Sequence, residues 1–349
     1  MKILALDLGK YKTVSCEYES ETGAHRFHHS LTSRSGLTEL VKTVQPELVV
    51  LEICNLAGWI CDLLRGLGVA VQVANTNDEV WSWQKVKQKS DQRDALKVAR
   101  LAALNQVREV HVPIIEVRQW RALIAFRAQL VSRRRRVKAH LRELLVREGQ
   151  LLPRGAKCWS TRGVAQLQEL AKPLAAVEMN ELWRGTLEIE LRQLRDLQIE
   201  IELVEEKLAA IARRDRRIAL LQTIPGVGPR LGEAIVALLD QPQRFRHARE
   251  VSAYVGMVPK ELSSGETRRQ GHITKQGNRL VRALLVEVAW AGLRHNAWVR
   301  ATYQRISGGK KSRKKIAIVA VGRQLLVRCW AMLRDGTNWS PPAVVTAQS

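Results

Sequence analysis

Ile3-Leu4-Ala5-Leu6-Asp7-Leu8-Gly9 is a short apolar run that ends in a carboxylate and a glycine. Its length suits a buried strand rather than a helix, and the residues that follow extend that reading. Residues 14–18 and 25–31 read as two more strands, with a turn around Thr22 and Gly23. Residues 35–44 read as a helix that Pro46 ends, and 47–51 as an apolar strand running into Glu52. A helix over 56–67 with Gly68 as its C-cap, a strand over 69–73 and an amphipathic helix over 91–104 complete the pattern. Three strands in a meander, then alternating helices and strands, predict a mixed α/β layer fold.

Four carboxylates fall at informative places in that pattern. Asp7 and Glu52 each stand at the end of an apolar strand. Asp91 and Asp94 lie in Lys89-Ser90-Asp91-Gln92-Arg93-Asp94-Ala95, three residues apart at a helix start and on one side of it. Magnesium takes hard oxygen ligands, and acids in such a set can hold metal against a phosphodiester. Each acid alone has a plainer reading: a strand-end Asp caps a turn, and Ser90 or Asp91 serves as the helix N-cap.

Downstream, 116–148 reads as one long basic helix, broken by Pro153 and Gly155. Residues 188–213 read as another, with Ile189, Leu191, Leu194, Leu197, Ile201, Val204 and Leu208 near heptad spacing. That pattern predicts a coiled-coil-like hairpin or dimerisation arm, or equally a helix packed on its own domain. Thr223-Ile224-Pro225-Gly226-Val227-Gly228-Pro229 before a helix over 230–239 reads as a helix-hairpin-helix element. Gly226 and Gly228 there let backbone amides approach phosphate; the plainer alternative is an ordinary helix–helix turn. Residues 259–277 read as a loop with small residues and several bases, followed by a helix over 280–293. From the residues alone that loop is a phosphate-binding loop and no more, since spacing identifies no general base for Ser264. The segment after Trp330 is polar, and 336–349 is expected to be a disordered tail.

With 57 Lys and Arg against 34 Asp and Glu, the net charge is +23, a field that attracts polyanions. The bases cluster at Arg133, Arg134, Arg135 and Arg136, at Arg213, Arg214, Arg216 and Arg217, and at Lys310, Lys311, Arg313, Lys314 and Lys315. Several clusters suit a long nucleic acid, although any one of them alone reads as a solvated helix face. Hydrophobic residues at 46% exclude a disordered tail as the whole chain. The 5 cysteines are odd in number and form no C-x-x-C pair, so neither a disulfide framework nor a zinc knuckle is indicated. No signal peptide and no membrane-spanning stretch is read, and a bacterial cytoplasmic, nucleoid-associated location is expected. His28 and His29 alternate to opposite faces of their strand, which argues against a shared metal. Most of the 10 tryptophans read as core or interface, with Trp81 and Trp83 as candidate base-stacking residues.

Leu6-Asp7-Leu8-Gly9-Lys10, Leu51-Glu52 and Lys89-Ser90-Asp91-Gln92-Arg93-Asp94-Ala95 together resemble the RuvC-like domain of the DEDD transposases, the bacterial insertion-sequence family IS110 with its sister group. Tyr254-Val255-Gly256-Met257-Val258-Pro259, Ser263-Ser264-Gly265 and the stretch from Gly271 to Asn278 resemble that family's second conserved domain. The resemblance implies an RNase H-like α/β domain over 1–110 whose Asp7, Glu52, Asp91 and Asp94 bind Mg2+ or Mn2+. It implies a helical, coiled-coil connector over 111–215 and a mainly α transposase domain over 216–335. The family's Ser-Gly pair falls on Ser264-Gly265, with Ser263 adjacent, and its serine forms a covalent phosphoserine intermediate with DNA. Lys260, Arg268, Arg269, Lys275, Asn278 and Arg282 are then candidate phosphate contacts. The implied partners are double-stranded target and donor DNA, a noncoding bridge RNA that pairs with both, and further copies of the chain, a dimer assembling to a tetramer. Two other functions fit the same residues: a hydrolytic nuclease of the junction-resolvase type, and a non-catalytic nucleic-acid-binding protein.

Overall fold

The computed structural model describes residues 1–75, 90–151, 153, 155–261 and 270–341. The chain divides into two compact units, Met1–Gln119 and Trp120–Ser349.

In the first unit, strands β1 (Lys2–Leu8), β2 (Lys12–Glu19), β3 (His25–Leu31), β4 (Leu48–Glu52) and β5 (Ala70–Ala74) form one sheet in the order β3-β2-β1-β4-β5. The first three pair antiparallel as a meander, while β4 lies parallel to β1 and β5 parallel to β4. The parallel links are made through helices α1 (Arg34–Val44) and α2 (Ala57–Gly66), as crossover connections require. Alternation decides which helix covers which face. Leu4, Leu6, Val49, Leu51 and Val73 pack with Leu37, Leu40, Val41, Ile60 and Leu64 of α1 and α2. Ile3, Ala5, Val50, Ala74 and Cys16 pack with Ala95, Val98, Ala99 and Ala102 of α3 (Asp91–Ala103) on the other face. In β3, His28 Nε2 lies 2.8 Å from the Glu17 carboxylate.

In the second unit, α4 (Ile115–Arg147) and α6 (Leu182–Arg214) run antiparallel. Arg127 bonds Glu205 at 2.8 Å, and Arg134 bonds Gln198 at 2.6 Å. Val137, Leu141 and Leu145 meet Leu187, Leu191 and Leu194, with α5 (Thr161–Leu170) contributing Leu167. The apolar stripe of α6 is therefore used inside the chain, in a helical hairpin, although Ile199 and Leu203 stay exposed. The remaining helices, α7 (Arg216–Gln222), α8 (Pro229–Leu239), α9 (Ala248–Tyr254), α10 (Arg279–His295), α11 (Ala297–Ser307) and α12 (Lys314–Asp335), share one core.

Three sequence expectations are corrected in this unit. The stretch 259–277 is not all loop: β6 (Pro259–Glu261) pairs antiparallel with β7 (Gln270–Ile273). Those strands are too short, and Pro259-Lys260-Glu261 too polar, to show an alternating pattern. The segment Lys311–Asp335 is long and apolar enough to cross a membrane by length and composition. Its apolarity has another cause, since Val321, Leu325, Leu326 and Cys329 are buried in the core. Finally, Trp339, in the stretch expected to be disordered, meets Trp298 edge-on at 5.5 Å, and its amide donates to Thr223.

An ion-pair network stitches α4, α6 and α8 together. Arg230 pairs with the buried Glu233 at 3.1 Å and approaches Glu205 at 3.8 Å. Burial pushes the Glu233 carboxyl above the ordinary value of 4.5, against the pull of Arg230. A carboxyl with a raised folded pKa holds its proton more tightly when folded, so stability falls as pH rises above 4.5 through the folded value. Glu233→Gln is expected to remove that decline, so the wild type should lose ground to the variant between acid and neutral pH. Urea unfolding at both pH values checks this, and parallel stabilities would contradict it.

Candidate active site

The first unit gathers the four acids on one side of its sheet. Residues 3, 5 and 7 of β1 share a face, as do 50 and 52 of β4. Ile3, Ala5 and Val50 belong to the α3-facing core, so Asp7 and Glu52 point to the α3 side as well. Leu6 pairs with Leu51 in the parallel register, which sets the two acids one step on along adjacent strands, about 4.8 Å apart strand to strand. Both are half-buried.

Helix α3 packs across β1, β2 and β4. Its N-cap is Ser90, whose hydroxyl accepts from the Arg93 amide, so capping falls to Ser90 rather than Asp91. Asp91, exposed, and Asp94, half-buried, occupy the first turn on the stripe that leads to the buried Val98. The helix dipole there favours negative charge.

Lys97, one turn beyond Asp94, went unnoticed in the sequence. Burial lowers its pKa, and the charges of Asp94 and Glu52 act in the opposite direction. Its ammonium therefore stands in the field of one acid from the helix and one from the sheet. The i, i+3 spacing from Asp94 was a visible signal, but proximity to Glu52 depends on packing. Cys16 lies on the same face, where burial pushes its thiol up to about 11.

Asp7, Glu52, Asp91 and Asp94 offer only hard oxygen donors, the set a magnesium-like ion prefers. Among the described residues, no three His, Cys, Asp or Glu side chains already stand as a metal-ligand group. The acids fit such an ion in donor chemistry and in the side of the sheet they share.

The second unit places the candidate nucleic-acid contacts. Arg133, Arg135 and Arg136 are exposed on α4, whereas Arg134 is held by Gln198. Gly226 adopts φ +93° in the turn between α7 and α8, and Gly228 is the N-cap of α8. Asn296 Nδ2 ties down that turn by donating to the Pro225 carbonyl at 3.1 Å. Lys260 and Lys275 are exposed on either side of the β6–β7 hairpin. Asn278 caps α10 by accepting from the Val281 amide. Arg282 donates to the carbonyls of Val255 and Gln276 at 2.8 and 3.2 Å, which braces the hairpin's base. Lys310, Lys311 and Lys314 are exposed around the start of α12. Ser263, Ser264, Gly265, Arg268 and Arg269 lie outside the described residues, as do Trp81, Trp83, Lys89 and residues 342–349.

Comparison with known proteins gives matches in both units. A family profile described as "Transposase", the DEDD group of IS110, matches residues 4–148. A second, described as "Transposase IS116/IS110/IS902 family", matches residues 218–304. The transposase for insertion sequence element IS1111A of Coxiella burnetii is 28% identical over 343 residues, covering 95% of this chain and 90% of that protein. A probable family 20 transposase of Pseudomonas aeruginosa is 27% identical, covering 88% of this chain and 90% of that protein. The transposase for insertion sequence element IS1328 of Yersinia enterocolitica is 23% identical, covering 97% and 98%.

Proposed function

The chain belongs to the IS110 family of DEDD transposases, and from that premise we propose that it cuts and rejoins DNA with carboxylate-held metal and a serine nucleophile. The observation that carries the reading is the shared face: Asp7 and Glu52 at adjacent strand ends, with Asp91 and Asp94 on the helix packed over them. Strand order β3-β2-β1-β4-β5, with helices on both faces, suits an RNase H-like, RuvC-like domain over 1–110. In this reading 111–215 is the helical connector and 216–335 the transposase domain.

Asp7, Glu52, Asp91 and Asp94 would hold Mg2+ or Mn2+, which when bound polarises the scissile phosphate. The hydroxyl oxygen of Ser264 attacks phosphorus, the bond to the departing strand oxygen breaks, and that oxygen leaves with a proton. The phosphodiester energy is kept in the Ser264–phosphate bond. A strand hydroxyl then attacks the same phosphorus and releases the serine, so DNA is rejoined without an external energy source. Lys260 and Lys275, on either side of the β6–β7 hairpin, and Arg268 and Arg269, which fall between them in sequence, would hold the phosphates flanking the cut. Arg133, Arg135 and Arg136, the Gly226–Gly228 turn, and Lys310, Lys311 and Lys314 would follow the backbone farther away.

The reading extends to a noncoding bridge RNA that pairs with target and donor DNA, and to a dimer that assembles to a tetramer. The resemblance to guided recombinases supports both. The +23 charge suits a ligand set of RNA and two DNA duplexes.

A covalent-trapping assay tests the chemistry. Protein, magnesium, the RNA flanking the element and labelled element-end DNA are combined and run on a denaturing gel. A protein–DNA adduct is expected, abolished by Ser264→Ala, kept by Ser263→Ala, and lost when the RNA is omitted. Cleavage without an adduct, unchanged by either serine substitution, would replace this reading with a hydrolytic nuclease.

A further inference from the structure

Helix α10 has two unlike faces. Val281, Leu285, Ala289 and Gly292 are buried in the core of the second unit. Arg279, Val286, Glu287 and Trp290 recur at helical spacing on another stripe, which forms one wall of a groove of about 800 Å³. Ile273 and Val319 complete an apolar floor, and Lys275 lies at the rim with Arg279. Glu287, Arg279 and Lys275 are exposed, whereas Val286 and Trp290 are half-buried. Tyr303 supports the indole of Trp290 at 6.2 Å, and Lys314 Nζ sits 5.2 Å from its ring centroid.

Three kinds of chemistry meet in this groove. An aromatic ring set among aliphatic side chains takes a flat apolar body. Cations at its edge take an anion, and a single carboxylate accepts hydrogen bonds from amino groups. A nucleotide carries the three complementary parts on one skeleton: a planar base, a phosphate and, in all bases but thymine, an exocyclic amine. A purely apolar ligand would leave the cations without purpose, and an anion alone would leave the indole so. The groove also adjoins the root of the β6–β7 hairpin, because Ile273 ends β7 and Lys275 follows it.

We propose that this groove binds one unstacked nucleotide of the DNA substrate. Its base lies against Trp290, its phosphate meets Lys275 and Arg279, and an exocyclic amine donates to Glu287. The inference rests on the DNA-cutting reading above and adds to it a subsite with a preference: cytosine, adenine and guanine favoured over thymine, whose Watson–Crick edge lacks an amino group. An unstacked base costs least where a strand is already opened, which places the bound nucleotide in single-stranded or strand-exchanging DNA.

The test uses the full-length protein and single-stranded DNA oligonucleotides substituted with 5-iododeoxycytidine, a photoreactive base that keeps the exocyclic amine. Ultraviolet crosslinking is followed by mass-spectrometric mapping of the attached peptide. The crosslink is expected on the segment containing Trp290. Trp290→Ala should lose it and weaken binding roughly 5- to 150-fold, the range for loss of one base–aromatic stack. Trp290→Phe keeps an aromatic face and should retain most of both, which separates stacking from misfolding. Glu287→Gln should narrow the preference for oligo-dC over oligo-dT while leaving the crosslink in place.

Crosslinks that map elsewhere, with DNA affinity unchanged in Trp290→Ala, would overturn the subsite and leave the transposase reading standing. Loss of self-association in Trp290→Ala, with unchanged DNA affinity, would overturn it in favour of a second copy of the chain as occupant. Failure of the wild-type protein to bind any DNA would instead overturn the DNA-cutting reading, and this inference with it.

Discussion

Asp7→Asn is expected to lower strand cleavage by at least about a thousandfold in magnesium while leaving the fold intact. The substitution keeps the shape of the side chain at the end of β1, so the sheet register from Lys2 to Leu8 has no reason to shift. It replaces an anionic oxygen donor with a neutral amide, and a hard divalent cation loses one charged ligand of its set. DNA binding should be unchanged or slightly tighter, because the site repels phosphate less once one carboxylate is gone. That split, binding kept and chemistry lost, is what distinguishes a metal-binding acid from a structural one. The measurement is the rate of element-end cleavage beside a gel-shift titration and a circular-dichroism spectrum. Cleavage within about tenfold of wild type would remove Asp7 from the catalytic set, because an essential ligand costs far more. Glu52→Gln, on the neighbouring strand and the same face, should behave alike.

Gly256→Ala is expected to destabilise the second unit by about 3–5 kcal/mol, among the larger effects a single residue can have. Gly256 has φ +74°, where an L side chain is strained. A Cβ there would lie 1.8 Å from the carbonyl oxygen of Gln276 and 2.6 Å from its nitrogen. The obstacle is backbone, so no side-chain rotation relieves it. Gly277, with φ +92°, faces the same problem from the other segment, since its Cβ would lie 2.1 Å from the Tyr254 carbonyl oxygen. The segments around residues 255 and 276 thus touch backbone to backbone. The amides of Thr274 and Lys275 tie them by donating to Val258 and Gly256. This contact is the base of the β6–β7 hairpin that brackets Ser264 in the chain. Loss of stability should therefore come with loss of the covalent adduct. Urea unfolding of Gly256→Ala checks it against Gly66→Ala, whose Cβ would meet nothing within 4 Å and which should be nearly neutral. A cost below about 1 kcal/mol for Gly256→Ala would mean that the two segments part easily.

How far the sequence led differs between the two units. In the first, strand and helix positions were legible because burial on both faces makes β1 and β4 short, unbroken apolar runs and because α3 carries a helical stripe. That Asp7 and Glu52 share one face needed the β1–β4 register as well as the parity within each strand. Lys97 was not legible, because its relation to Glu52 spans 45 residues and exists only after α3 docks. In the second unit the hairpin was read as loop, since β6 and β7 are held by Pro259 opposite Ile273 and Glu261 opposite Gln270 rather than by any pattern of apolar residues. The apolarity of α12 serves a core shared with seven other helices, α4 and α6 to α11.

The sequence by itself determined the elements that repeat a local period, the faces their side chains take, the positive field of the chain, and the family that its acidic and Ser-Gly motifs resemble. Each is a property of neighbours a few residues apart. The tertiary structure alone decided which helix covers the acidic face, that α6 packs its apolar stripe on α4, that Gly256 abuts the backbone of Gln276 and Gly277 that of Tyr254, and that Trp290 lines a groove with Lys275 and Arg279. Those are contacts between residues remote in the chain. They form only when packing energy outweighs the entropy of closing the loops between them, a balance that no local pattern records.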